Sequence, residues 1–399
     1  MRVLLASSAS YDPPRGGSTR GNLAWLEHLA GSGHECRVVS GLPVETKLEE
    51  HVSAPRPGLT IRSVESAAHR GALKDEIARF RPDWVLVSSE DLSHALLDEA
   101  HRAAPGRVVY LAHTPQFYPF GPAAWNASER SRQAVIACAG IVAIARFTAA
   151  YIYENTGRRA AVIHPPIYGT PPFRRLGRWE AGAVAMINPC DVKGVAIFRE
   201  LARQNPDLPF AALPGWGTTP EVKASLDALG NFSWIEPCRD IEQMLERARI
   251  LLVPSLWVEG FGLIVVEAML RGIPVLAADA GGLRESALGA ARLIPVKPIT
   301  RFQAKFDAQH LPVAEVPEQE IGPWQEALHG LIQDPGAYRK ASRASYEAAN
   351  GFVAGLDAGE MERYLAGLQP AAAEAPAPAL SALSAEKRAL LERRLRQRR

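Results

Sequence analysis

The stretch Val253-Pro-Ser-Leu-Trp-Val-Glu-Gly-Phe-Gly-Leu-Ile-Val-Val-Glu-Ala-Met-Leu-Arg-Gly-Ile-Pro-Val-Leu276 decides the fold. It reads as a buried strand, a glycine loop, an amphipathic helix and a second buried strand. A helix opening near Gly262 presents first amides, of Leu263 and Ile264, that have no preceding turn to bond to, and they carry the positive end of the helix dipole. A diphosphate fits such a terminus. Gly260 and Gly262 let the backbone approach a ligand, and Phe261 is placed to wall the pocket. Glu267, four residues beyond Leu263 on the same helix face, offers two acceptor oxygens to the paired hydroxyls of a ribose. Glu259, still in the loop, is placed to face a hexose.

These residues resemble the signature of glycosyltransferase family 4: a glutamate pair with seven residues between, preceded by Pro254-Ser255 and followed by Gly272-Ile-Pro-Val275. The resemblance implies an α/β protein of GT-B fold, with two Rossmann-like, doubly wound parallel-sheet domains facing a cleft. It also implies sugar transfer from a nucleotide donor with retention of anomeric configuration, Glu259 meeting the donor sugar and Glu267 the ribose.

Size and composition agree with two domains. A chain of 399 residues, 47% of them hydrophobic, is too long for one ordinary core. Residues 384–399 carry seven Lys or Arg against two Glu, a local +5, so the formal +2 of the chain leaves about −3 for the body. That balance excludes a nucleic-acid footprint. Cys36, Cys138, Cys190 and Cys238 have no paired spacing, which argues against a zinc site or a disulfide framework and for a reducing cytoplasm. Arg2 to Ala6 is too short for a signal sequence and reads as the first strand. The longest apolar run, Ala134 to Ala145, is split by Gly140 and falls short of a bilayer span.

Apolar runs predict strands at 2–7, 35–40, 60–64, 83–88, 107–112, 140–144 and 160–163, with helices at 19–31, 69–79, 93–104, 129–138 and 146–156 between them. A second series of strands is predicted at 183–187, 208–213, 232–235, 250–254, 273–277 and 291–295. We read residues 1–168 as an acceptor-binding domain and 178–350 as the nucleotide-sugar domain, joined by a proline- and glycine-rich crossing. Residues 351–368 are then helices packing back across both, as the resemblance implies. An Ala/Pro linker at 369–380 and a basic amphipathic helix at 381–399 follow. The tail reads as a solvated face or as a weak docking helix for a protein or a membrane surface, and its wording is similar to linker segments of nonribosomal peptide synthetases.

Loops after strands supply the remaining candidates, because ligands bind outside the carboxyl ends of wound sheets. Gly16 and Gly17, between strand one and helix one, permit backbone contact with a phosphate or the acceptor, and resemble the family's N-terminal Gly-Gly loop. His113 in Tyr110-Leu-Ala-His-Thr-Pro115 matches the position where a family histidine meets the donor sugar. In Asn188-Pro-Cys-Asp-Val-Lys-Gly194, Lys193 can meet a diphosphate as a point charge, while Asn188 stands where the family has a clamping arginine. Trp216 in Leu213-Pro-Gly-Trp-Gly217 is a candidate for stacking on the base, with Pro237 and Arg239 as weaker candidates.

No Asp-x-Asp pair, Gly-x-Gly-x-x-Gly, Walker loop or Gly-x-Ser-x-Gly elbow is present. The expectation is therefore a retaining hexosyltransferase that needs no metal or cofactor beyond its UDP- or GDP-linked donor. It would serve a hydroxyl of a small molecule, such as a natural product, or of a glycan or lipid. Phe117, Tyr118, Phe120 and Trp125 suggest an apolar acceptor surface. The alternatives are another GT-B enzyme, a sugar phosphorylase or sugar-nucleotide epimerase, or a weakened transferase kept as a scaffold for a partner.

Overall fold

A computed structural model of the chain describes residues 1–371 apart from 15, 44–45, 47, 238–239 and 308–311. Arg239, the linker from residue 372 onward and the basic tail at 381–399 lie outside the described residues.

The first half contributes β1 (Arg2–Ser10), β2 (Glu35–Gly41), β3 (Glu50–Arg56), β4 (Leu59–Val64), β5 (Trp84–Ser88), β6 (Val108–Ala112), β7 (Gly140–Ala143) and β8 (Ala161–Val162). They form one sheet in the order β3-β4-β2-β1-β5-β6-β7-β8, parallel except where β3 runs against β4. Helices α1 (Gly17–Gly31), α2 (His69–Phe80), α3 (Ala95–Ala103), α4 (Glu129–Ile136) and α5 (Arg146–Thr156) connect them. β5 and β6 are buried at every residue, as a strand covered on both faces must be.

The second half contributes β9 (Ala183–Ile187), β10 (Phe210–Leu213), β11 (Phe232–Trp234), β12 (Ala248–Val253), β13 (Val275–Ala278) and β14 (Arg292–Ile294). The order is β11-β10-β9-β12-β13-β14, all parallel. Its helices are α6 (Val195–Gln204), α7 (Pro220–Asp227), α8 (Ile241–Leu245), α9 (Leu263–Met269) and α10 (Leu283–Ser286). Strand order reverses between β1 and β5 in one sheet and between β9 and β12 in the other, which puts a crevice at the carboxyl ends of those four strands.

Two pieces escape the sequence reading. β3 is almost wholly exposed and carries Pro55, so it lacks the apolar alternation that announces a strand and is confined to a sheet edge. A hairpin of β15 (Phe302–Phe306) and β16 (Pro312–Ala314) follows β14, and most of β15 is exposed as well.

The chain ends, as described, with α11 (Gly322–Ile332), α12 (Pro335–Ala354) and α13 (Glu360–Gly367). Tyr338 on α12 donates to the Arg249 carbonyl (2.7 Å) in the second half, whereas Tyr364 on α13 donates to the Ile141 carbonyl (3.3 Å) in the first. The Ala371 amide donates to the Gly106 carbonyl (2.8 Å), so the segment re-crosses between the lobes.

Phe198 on α6 is fully buried, with the Phe210 and Phe232 rings edge-on at 5.3 and 6.2 Å. Removing that ring leaves a cavity that rigid neighbours cannot fill. Phe198→Ala is expected to lower the unfolding free energy by about 3–5 kcal/mol, read by urea denaturation; a loss below about 1 kcal/mol would contradict this packing.

Candidate functional site

At the carboxyl end of β12 the chain turns through Pro254 to Gly262 before entering α9. The Glu259 carboxylate is buried and accepts from Lys193 Nζ (2.5 Å) and Ser255 Oγ (2.5 Å). Burial pushes the carboxyl up, but the Lys193 charge and the hydrogen bonds from Lys193 and Ser255 outweigh it and hold the group below its ordinary range. Lys193 comes from the one-turn helix after β9 and also lies over the Trp257 ring at 4.3 Å. Gly194 follows it at φ 79°, and a Cβ there would sit 1.9 Å from the Pro254 carbonyl oxygen. Only glycine lets these two loops touch.

Glu267 is buried one turn into α9 and faces the first half of the chain. Arg20 of α1 donates to it through Nη2 at 2.5 Å and through Nη1 at 3.5 Å. Gly262 caps α9 at φ 92°. Gly17, the first residue of α1, lies opposite Leu263, whose Cδ1 would be 3.2 Å from a Cβ on the glycine. Gly16 stands similarly near Trp216, 4.0 Å from Cδ1. The two glycines therefore face Leu263 and Glu267 across the cleft.

His113 follows β6 and is buried. Asn22 Nδ2 donates to the Tyr11 hydroxyl (2.7 Å), so Asn22 Oδ1 accepts from His113 Nε2 (2.8 Å), and Nδ1 is the acceptor nitrogen of a neutral ring. Burial lowers the His113 pKa to about 3. A Cβ on Gly260 would lie 1.9 Å from the His113 carbonyl oxygen, so the histidine loop and the glutamate loop meet backbone to backbone across the cleft. Beside it, the Gln116 amide satisfies both backbone groups of Val258 when its oxygen faces the N–H (2.9 Å) and its nitrogen the carbonyl (3.1 Å).

Other candidates occupy different places. Asn188 has φ 54°, and its Oδ1 accepts from the Gly217 N–H (2.8 Å), so it braces the Gly215–Gly217 loop. Trp216 packs on Trp257, ring centroids 5.7 Å apart, next to Lys193. Phe261 does not wall the pocket: it is 1% exposed and packs on His164 and Phe352, at 5.0 and 5.9 Å. Ile264 is half-buried beside Leu263. Tyr118 and Phe120 are core residues, which leaves Phe117 and Trp125 as the loop's half-buried aromatics, joined to Trp257 and Phe302 through Trp125 at 5.9 and 5.5 Å.

Sequence reasoning missed several residues. Ser255 stood in the Pro-Ser motif without a task. Arg20 has its partner 247 residues away, and no local pattern marks such a pair. Glu90, at the end of β5, is another: burial pushes its carboxyl up to about 7 against the nearby hydroxyls of Ser18 and Ser88.

The pairing of two wound sheets around such a crevice defines the GT-B class. It is the fold of the sucrose-phosphate synthase from Thermosynechococcus elongatus (TM-score 0.68, 14% identity, 91% of this chain and 98% of that one). It is equally that of Anabaena HepE in complex with UDP and glucose (TM-score 0.62, 17% identity, 92% and 98%). Residues 15–168 match the sequence model of Glycosyltransferase Family 4, and residues 198–303 that of Glycosyl transferases group 1. Each half of the chain thus matches a glycosyltransferase sequence model, and the chain is similar to glycosyltransferases of family 4. A D-inositol 3-phosphate glycosyltransferase from Nocardia farcinica is 30% identical over 164 residues, a match that spans 40% of this chain and 32% of that protein.

The buried neutral histidine has a thermodynamic consequence. As pH falls through about 6.5 the unfolded chain protonates His113, while the folded ring stays neutral to about 3, so stability declines with falling pH across that window. Each such histidine contributes up to about 1.4 kcal/mol per pH unit. His69, His94 and His164 are lowered in the same direction, chiefly by burial, and remain in a His113→Gln variant. That variant is expected to lose about one proton's worth of the slope between pH 6 and pH 4 in urea unfolding. An unchanged slope would contradict a buried neutral His113.

Proposed function

We propose that the protein is a retaining, metal-independent glycosyltransferase that moves a hexose from a UDP- or GDP-linked donor to an acceptor hydroxyl. The observation that carries this reading is the Lys193–Glu259–Ser255 cluster set beside the opening of α9, with Glu267 one turn further on. An ammonium and helix amides serve a leaving diphosphate, and two carboxylates serve hydroxyls on either side of it. The complex of HepE with UDP and glucose supports a nucleotide-sugar donor for a chain of this fold.

In this reading Glu267 takes the ribose hydroxyls and Glu259 those of the hexose. His113 Nδ1 accepts from a sugar hydroxyl, since the ring is neutral and Nε2 is committed to Asn22. The bond between the anomeric carbon and the phosphate oxygen breaks as the acceptor oxygen bonds to the same face. The acceptor's proton passes to the departing phosphate, whose charge Lys193 and the amides of Leu263 and Ile264 offset. Close contact of the lobes excludes water and limits hydrolysis. The half-buried pair Phe117 and Trp125 supports an acceptor with an apolar or aromatic face, on a small molecule, a glycan or a lipid. Buried, unpaired Cys36, Cys138 and Cys190 support a reducing cytoplasm as the site of action. Among the described residues no helix is long and apolar enough to cross a membrane.

Calorimetry with a panel of UDP- and GDP-sugars tests the donor site. One donor is expected to bind with chelator present, and Glu267→Gln to weaken it about tenfold, or about 1.4 kcal/mol. Glu259→Gln is expected to cut transfer by about 100-fold or more while donor affinity falls far less. Folded protein that binds no donor, or activity lost to chelator and restored by metal, would contradict the reading.

A further inference from the structure

The charge balance of this site leaves one residue without a stated role. Glu259 and Glu267 bring two negative charges, and Lys193, already bound to Glu259, brings one positive charge. His113 adds none, because its ring is neutral. These four groups sum to −1, a poor reception for a diphosphate, which is itself multiply negative. Arg20 brings the sum to zero, and it comes from the opposite lobe.

Its placement fits that task. Arg20 lies in the first turn of α1, three residues after Gly17, and Gly17 faces Leu263 at the mouth of α9. The guanidinium is therefore within about one helical turn of the amides that would meet the phosphates. A guanidinium has five N–H donors in a planar fork and remains charged, so a phosphate can take the place of the carboxylate it now holds. The Arg20 side chain is 34% exposed whereas that of Glu267 is 3% exposed, so part of the cation is open beyond its present partner. The Tyr168 hydroxyl, buried beside Arg20 and Glu267, has no hydrogen-bond partner in the protein, so this corner offers a polar atom to a ligand group.

We propose that Arg20 is a diphosphate-binding residue of the donor site, contributed by the N-terminal lobe. It holds the pyrophosphate opposite Lys193, while Glu267 exchanges the guanidinium for the ribose hydroxyls. Donor binding would then replace a direct bond between the lobes with one made through the nucleotide. The inference rests on the donor site proposed above and adds a residue that the nucleotide-sugar signature does not contain.

The test compares nucleotides with nucleosides, so that phosphate contacts separate from all others. UDP, GDP, uridine and guanosine are titrated calorimetrically into wild type and Arg20→Gln. The diphosphate that wild type binds is expected to weaken at least tenfold in the variant, and the matching nucleoside to change less than about threefold. Because Arg20→Gln strands a buried carboxylate, the same comparison is made between Glu267→Gln and the double variant Arg20→Gln/Glu267→Gln, where a further tenfold loss for the diphosphate is expected. Equal losses for nucleotide and nucleoside would make Arg20 structural, and a tightened nucleotide would make it a competing latch. Either result, or a diphosphate affinity within twofold of the parent in both backgrounds, would overturn the proposal. Wild type that binds neither nucleotide nor nucleoside would instead refute the donor site itself.

Discussion

Two places where backbone meets backbone hold the site together. At Gly260 and Gly194 a Cβ would lie 1.9 Å from a carbonyl oxygen, of His113 in one case and of Pro254 in the other. The first contact brings the end of β6 against the loop after β12, so His113 and Glu259 share one cleft although they belong to different lobes. The second lays the Lys193 turn on that same loop, which is why an ammonium reaches the Glu259 carboxylate. A larger residue at either position would separate the groups on which the proposed chemistry depends.

What these contacts assemble is a buried ion pair with a donor hydroxyl. Such a pair costs much of its attraction in lost hydration, and it is weak evidence for stability. In the proposed reaction its value is pre-organisation: Ser255 and Lys193 hold the Glu259 carboxylate in place and favour its charged form, so that solvent need not rearrange. Arg20 and Glu267 repeat the device across the cleft, with a partner that is more exposed and easier to exchange.

The sheets were legible because β5, β6, β12 and β13 are short, nearly continuous apolar runs, as strands covered on both faces are. The glutamate pair was legible because strand, glycine loop and helix lie within one local stretch. β3 and the β15–β16 hairpin were not, since exposed edge strands bury too little to leave a periodic signal. Side-chain direction was the other limit. Phe261 looked like a pocket wall beside two glycines but points into the core, and Tyr118 and Phe120 do the same within an aromatic-rich loop. Asn188 stood out as a missing arginine, whereas its positive φ and its bond to Gly217 make it a brace for the next loop. Arg20 was invisible because its significance lies in a contact between lobes.

The central claim is that one donor site is built from both halves of the chain. Amide hydrogen exchange with a saturating nucleotide sugar, chosen from UDP- and GDP-linked hexoses, tests it most directly. The account predicts simultaneous protection at residues 16–20 of the first lobe and at 188–194 and 259–267 of the second. Protection confined to one lobe, or absent with every donor at saturation, would contradict it.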